Sequence, residues 1–119
     1  MEEIDYLPRR LFLGGSIYKV VQRSALWRQA HEVDGQCRFT DMEVDIVVED
    51  RPHTEISNTL IHECLHLCYR EFNIKPKCGE ERTVTGLGYA LNALYAQNPD
   101  LLTAIELLQE QARGSVTDK

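Results

Sequence analysis

The sequence predicts an α+β fold in which a sheet of about three strands precedes three helices. The first half carries short β-prone segments separated by turn signals such as Gly14-Gly15 and Asp34-Gly35. The second half carries longer segments with helical periodicity. Because the strands come first and the helices follow, the order is typical of α+β rather than α/β proteins. The 119 residues contain no repeat or linker, so we predict one domain, 1–119.

The β-prone segments of the first half account for the predicted sheet, which could be antiparallel or mixed. Residues 11–13 lead into the glycine pair, and residues 17–22 form a β-prone run after it. Residues 24–31 could form a short helix. Residues 37–40 and 43–48 indicate two further strands, and the alternation of apolar side chains in 43–48 is typical of a half-buried strand.

Three longer helices are predicted in the second half. The first has Thr54 as its N-cap and ends before the next proline-containing segment. The second covers about 79–97. Asn98-Pro99 is typical of an N-cap followed by proline at the first helical position, which predicts a third helix over about 100–112.

Charge and composition limit the classes of partner. The formal net charge is -6, and an acidic domain without clustered Lys and Arg is a poor binder of the phosphate backbone, so we expect no nucleic-acid partner. No apolar run approaches the roughly 20 residues of a membrane span. No apolar segment follows the acidic N-terminus, so we expect no secretory signal, a cytoplasmic location and four cysteines present as thiols.

The strongest functional signal is His62-Glu63-Cys64-Leu65-His66, an HExxH motif within the first long helix. Side chains at positions i and i+4 lie on one face of a helix, so both imidazoles can bind one metal ion. The carboxylate of Glu63 beside that ion can take a proton from a zinc-bound water, whose pKa the metal lowers toward roughly 7. The motif therefore predicts a zinc site in which Glu63 is catalytic and His62 and His66 are metal ligands.

A catalytic zinc needs a third protein ligand and an open position. No histidine follows His66, so a carboxylate from the second long helix is the favoured source. Glu80 is in helical phase with the centre of the apolar face, whereas Glu81 is in phase with a small and polar flank. Gly88 on that flank would let the two helices approach closely. We therefore predict Glu81 as the third ligand, with Glu80 as the alternative.

The cysteines offer a rival site. Cys64 and Cys68 are also one helical turn apart, and Cys78 lies in the next loop, so three thiolates could hold a structural zinc. On a helical wheel, however, these two cysteines share a broad apolar face with Ile61 and Leu65. Buried free cysteine behaves as a small hydrophobe, so core packing is the favoured interpretation.

The motif and the residues that follow it resemble a known group of proteins. Residues 59–66, TLIHECLH, followed by Glu80-Glu81 and then by Asn98-Pro99, look like the small HExxH metallopeptidase-like proteins of phage and prophage genomes. These are similar to minimal gluzincins, which pair an HExxH helix with a glutamate on the next helix.

The resemblance implies a small zincin-like domain with a peptide or protein substrate. It also implies an edge strand that docks the substrate by β-pairing, and residues 43–48 are the candidate for it. An oxyanion-stabilising side chain is expected in a peptidase, and Tyr69, Tyr89 and Arg70 are the candidates. Cys64 and Cys68 depart from the pattern, because larger apolar residues are usual at those positions.

The preferred function is thus a zinc-dependent hydrolase, a metallopeptidase in which Glu63 activates the water. The alternative is a non-catalytic, metal-stabilised phage accessory or regulatory protein that binds a partner. A DNA-associated protease resembling SprT-like enzymes is disfavoured by the acidic charge and by the lack of a cysteine-rich zinc ribbon.

Overall fold

A four-stranded mixed sheet and four helices make up the α+β fold of the computed structural model. The structure describes residues 1–75 and 79–117, and among these it leaves the side chains of residues 80, 84 and 115–117 undescribed. The elements in chain order are β1 (Arg10–Leu13), β2 (Ser16–Arg23), α1 (Ala25–His31), β3 (Gly35–Arg38), β4 (Glu43–Val47), α2 (His53–Glu71), α3 (Glu80–Gln97) and α4 (Pro99–Thr117).

The strand order in the sheet is β1-β2-β4-β3. The hairpin of β1 and β2 is antiparallel, and Gly14 in its turn has φ +61, a left-handed conformation that glycine adopts without steric cost. The connection through α1 and β3 lets β4 return parallel to β2, while β3 pairs antiparallel with the outer side of β4. The prediction of 43–48 as the edge strand is therefore wrong, because β4 is interior and β3 forms the edge.

One face of the sheet packs on α2 and forms the core. Tyr18, Val44 and Ile46 are fully buried on this face, as are Leu60 and Leu67 of α2. Burial of such side chains stabilises each by roughly 1.5–3 kcal/mol, which fixes the helix against the sheet. The α2 helix also contacts α3, α4 and β1, so the element that carries the HExxH motif lies at the centre of the molecule.

The α2 helix begins two residues earlier than predicted. Pro52 is the N-cap, and its carbonyl oxygen accepts hydrogen bonds from the backbone N–H groups of Glu55 and Ile56 at 3.0 and 3.1 Å. Thr54 therefore lies inside the first turn, and the prediction of Thr54 as N-cap is wrong. The predicted apolar face is rotated as well, because Ile61 is 38% exposed.

The junction of α3 and α4 lies where predicted, but Asn98 plays a different part. Its Oδ1 accepts a hydrogen bond from Phe12 N at 2.8 Å, and its Nδ2 donates to Phe12 O and to Leu94 O. The side chain therefore joins the helices to β1 instead of capping α4. The predicted close approach at Gly88 is also wrong, since Gly86 packs against Ile74 while nothing described lies within 4 Å of a Cβ placed on Gly88.

A search of the described residues finds no helix long and apolar enough to cross a membrane.

Candidate metal centre

The two histidines of the HExxH motif converge on the exposed side of α2. His62 Nε2 and His66 Nε2 lie 3.2 Å apart, and their rings meet edge to face at 71°. Two imidazole nitrogens bound to one tetrahedral zinc at 2.0–2.1 Å are about 3.3 Å apart. The separation allows a hydrogen bond between the two imidazoles and is also close to the spacing at a zinc ion, and both imidazoles are open to solvent.

The carboxylate of Glu63 lies in the space between α2 and β3. Glu63 is only 4% exposed, although it lies between two exposed positions of the motif. Cys37 Sγ on β3 lies 3.2 Å from Glu63 Oε1 and donates a hydrogen bond to it. Burial first, and then the hydrogen bond and charge of Glu63, raise the pKa of the Cys37 thiol, which stays protonated as that donor requires.

A glycine allows β3 to pass this close to the helix. A Cβ on Gly35 would lie 2.7 Å from Thr59 Cγ2 and 2.8 Å from the carbonyl oxygen of Asp45. It would also lie 3.3 Å from Glu63 Oε2, so this oxygen faces the first residue of β3. The sequence predicted a turn at Asp34-Gly35, whereas Gly35 begins the strand and serves a close approach.

Two cavities flank His62 along α2. The smaller, of 430 Å³, lies toward the start of the helix and of β3, and its walls include Gly35, Arg51, His62 and Glu63. The larger, of 970 Å³, lies toward the end of the helix. Its walls are formed by Phe39, His62, Leu65, His66, Tyr69, Arg70, Glu71, Asn73 and Ile74. Because both cavities include His62, this imidazole lies at the boundary between them.

Two of the three predicted oxyanion-stabilising candidates line the larger cavity. Tyr69 and Arg70 share it with both motif histidines, and the Arg70 guanidinium lies over the Phe39 ring at 4.5 Å. Tyr89 is 70% exposed on α3 and does not line this cavity. The geometry therefore keeps the first two as candidates.

Arg51 is a site residue that the sequence analysis missed. Its side chain is 3% exposed, and its guanidinium donates to Val47 O and to Thr59 Oγ1 at 3.0 and 2.9 Å. These bonds tie the end of β4 to the first turns of α2 beside the smaller cavity. No local sequence signal marks Arg51, Cys37 or Gly35, because their roles depend on how the strand and the helix meet.

The third metal ligand is not assembled within the described part of the chain. A search of the described residues finds no three His, Cys, Asp or Glu side chains grouped to hold a metal ion, so Glu81, which is exposed, does not join the two imidazoles there. The side chain of Glu80 lies outside the described structure. The two histidines fit zinc, and the assignment of Glu81 or Glu80 stays a prediction.

The rival thiolate site is also not assembled in the described residues. Cys64 and Cys68 are free thiols buried in the core, which confirms the packing interpretation. Burial raises the pKa of Cys64 to about 12 and that of Cys68 to about 11. Cys78 lies outside the described residues.

Comparison with known proteins gives no relative: no family model, no curated protein and no solved structure matches the chain. The function therefore has to be inferred from the arrangement of His62, Glu63 and His66 and from the cavities around them.

Proposed function

We propose that the protein is a zinc-dependent hydrolase of peptide bonds, a minimal zincin-like domain. The observation that carries this proposal is the geometry of the motif. Two imidazole nitrogens lie 3.2 Å apart on the open side of α2, and the intervening Glu63 directs its carboxylate toward an edge strand. A helix with surface histidines alone would not require a buried glutamate between them, because burial of a carboxylate is costly.

Each motif residue has a distinct role in the proposed reaction. His62 and His66 hold the metal through Nε2, and Glu63 accepts a proton from the attacking water and delivers it to the leaving amine. When bound, zinc would acidify water and polarise the peptide carbonyl. Tyr69 and Arg70 line the cavity beside His66, from which a side chain can stabilise a developing oxyanion.

The edge strand β3 provides a docking surface for an extended peptide. It pairs with β4 along one side only among the described strands, and it runs beside the motif helix. A peptide added to its open edge would gain main-chain hydrogen bonds, and its alternate side chains would point into pockets. The substrate class we propose is therefore an extended or unfolded segment of protein rather than a compact domain.

The proposal is tested by separating metal binding from turnover. Zinc content is measured by atomic emission, and turnover by mass spectrometry on a library of unstructured peptides. We expect one zinc per chain and hydrolysis in the wild type. Glu63→Gln should keep the zinc and lose at least about a hundredfold in kcat, because the proton acceptor is gone.

Variants at other positions of the same helix distinguish the metal ligands from residues with no part in the site. His62→Ala and His66→Ala should lose both zinc and turnover, whereas Thr54→Ser, at an exposed position of α2 that lines neither cavity, should change neither. Turnover of Glu63→Gln at the wild-type rate would rule out the mechanism. Zinc binding without hydrolysis of any peptide would instead support the non-catalytic, metal-stabilised binding protein.

The third ligand is assigned by a separate comparison. Glu81→Gln and Glu80→Gln are titrated with zinc against a competing chelator, with His66→Ala as the reference for a lost ligand. We expect Glu81→Gln to weaken zinc binding more than Glu80→Gln does. Equal zinc affinities of the wild type, Glu81→Gln and Glu80→Gln would exclude both glutamates as ligands.

A further inference from the structure

The thiol of Cys37 makes a contact that the proposed chemistry does not by itself require. Cys37 is the third residue of β3, and its Sγ reaches across to α2, where it lies 3.2 Å from Glu63 Oε1 and 3.5 Å from the Glu63 carbonyl oxygen. Both distances suit hydrogen bonds from sulfur, and the carboxylate contact is the shorter. The strand therefore touches the side chain and the backbone of one motif residue through a single thiol.

The two carboxylate oxygens of Glu63 consequently have different surroundings. Oε1 faces the thiol of Cys37, while Oε2 faces Gly35, which lines the smaller cavity together with His62 and Glu63. The absence of a side chain at Gly35 leaves room for Oε2 beside β3. Along β3, Cys37 thus donates to one carboxylate oxygen of Glu63, whereas Gly35 places no side chain against the other.

We propose that Cys37 is a positioning residue for Glu63, whose thiol holds Oε1 and leaves Oε2 as the oxygen that accepts the proton. The inference rests on the proposed function, because it names what fixes the proposed base. Glu63 sits on a rigid helix, but rotation of its carboxylate would otherwise be limited only by packing. Holding the reacting oxygen in place in advance removes a cost from the transition state, and small misplacements of a catalytic group are expensive in rate.

The burial of Cys37 supports this role. The residue is partly buried, and its thiol has a raised pKa because of burial first and of the neighbouring Glu63 second. The side chain therefore remains a hydrogen-bond donor through the neutral range instead of becoming a second negative charge beside the carboxylate.

The test compares three thiol variants of the zinc-loaded protein. Cys37→Ala should lower kcat by about tenfold or more while KM and zinc content stay within about twofold of the wild type. Cys37→Ser restores a donor and should recover most of the lost kcat. Cys68→Ala removes a buried thiol of α2 that lies two turns from His62, and it should lower stability without changing kcat.

Two results would overturn the inference. The first is wild-type kcat in Cys37→Ala. The second is a loss of kcat in Cys37→Ser or in Cys68→Ala equal to the loss in Cys37→Ala. Either loss would mean that the rate depends on packing and not on the hydrogen-bond donor.

A spectroscopic measurement separates this inference from the proposed function. The S–H stretching band of Cys37 is identified by its disappearance in Cys37→Ser, and it should shift in Glu63→Gln because the charged acceptor is lost. A band that stays unchanged in Glu63→Gln would show that the thiol does not hold the carboxylate. If the wild type hydrolyses no peptide while the band shifts, the proposed function fails and the contact stands.

Discussion

Gly35 is the residue on which the contact between β3 and α2 depends. Gly35→Ala would place a methyl group 2.7 Å from Thr59 Cγ2 and 2.8 Å from the carbonyl oxygen of Asp45, so the strand or the helix must shift. Such overpacking costs about 1–3 kcal/mol, and we expect that loss in the free energy of unfolding measured with urea. Because Glu63 Oε2 lies beside the same position, kcat should fall as well.

The matched control is Gly88→Ala on α3. Gly88 is exposed within a helix, and no described atom lies within 4 Å of a Cβ placed there. Alanine is the better helix former, so this variant should gain about 0.5–1 kcal/mol and keep its activity. Equal stability of the two variants would contradict the close approach at Gly35.

Asp45 is a second residue whose environment should have a measurable effect, in this case on the stability of the protein in acid. Its side chain is fully buried on the face of the sheet opposite the core, and its oxygens accept hydrogen bonds from Arg23 Nε and Arg38 Nε, both at 2.8 Å. Burial alone would raise its pKa, but the hydrogen bonds from Arg38, Arg23 and Gln36 outweigh it and hold the pKa below the ordinary value.

The acid dependence of stability follows from that lowered pKa. An unfolded aspartate titrates near pH 4, so the contribution of Asp45 is fully present above this pH and is lost as the pH falls through the lower folded pKa. In Asp45→Asn, the free energy of unfolding should be lower at pH 7, by about 3 kcal/mol, and should depend less on pH below 4. Urea unfolding at several pH values measures both.

Asp41→Asn provides the control, because Asp41 pairs with the same Arg38 at 2.9 Å but is 55% exposed. An exposed ion pair of this kind contributes about 0–1 kcal/mol, so its loss should be small. If the two variants responded alike to acid, the buried position of Asp45 would not be the source of the pH dependence.

At the scale of elements, Asn98 joins the α3–α4 junction to β1. The residue is 1% exposed and makes three hydrogen bonds, two of them to the backbone of Phe12. Asn98→Ala would leave these groups without their partner, so we expect a loss of about 2–3 kcal/mol in the free energy of unfolding. Asn92→Ala, at an exposed position of α3, should change it by less than about 0.5 kcal/mol.

The sequence predicts best those elements whose signals lie within a short stretch of the chain. The long helices and the HExxH motif depend on periodicity and spacing within about twenty residues, and the structure confirms α2, α3 and α4. The rotation of α2 was predicted less well, because Glu63 is buried on the side of β3 while Ile61 is exposed. A helical wheel shows the polarity of the side chains around the helix. It does not show which face of the helix a strand from another part of the chain will cover.

The features that the sequence did not predict depend on contacts between residues far apart in the chain. The position of β4 inside the sheet follows from its parallel contact with β2, and no pattern within 43–48 specifies that partner. Asn98 has the sequence of an N-cap, but its side chain bonds to a residue 86 positions away. In the candidate site, the histidine pair was predictable from spacing, whereas Cys37, Gly35 and Arg51 enter only through the contact of β3, β4 and α2.

At the scale of the whole molecule, the candidate site lies on a helix that packs against most of the other elements. The α2 helix packs against three strands and two helices, while its outer face carries the two imidazoles. Support on one side and open cavities on the other suit the proposed site, which would hold a metal and admit a chain. Metal binding at this site would be linked to the stability of the entire fold.

Zinc bound at the proposed site should therefore stabilise the folded protein. A metal that binds only the folded protein raises the free energy of unfolding by RT ln(1 + [L]/Kd), which is about 2.7 kcal/mol at a free zinc concentration a hundred times Kd. We expect this gain in the wild type and in Glu63→Gln, and its loss in His62→Ala and His66→Ala. Magnesium, which prefers oxygen ligands, should give no gain in any of them. Urea unfolding in a zinc buffer measures the effect, and an undiminished gain in both histidine variants would place the metal elsewhere and separate the HExxH motif from zinc.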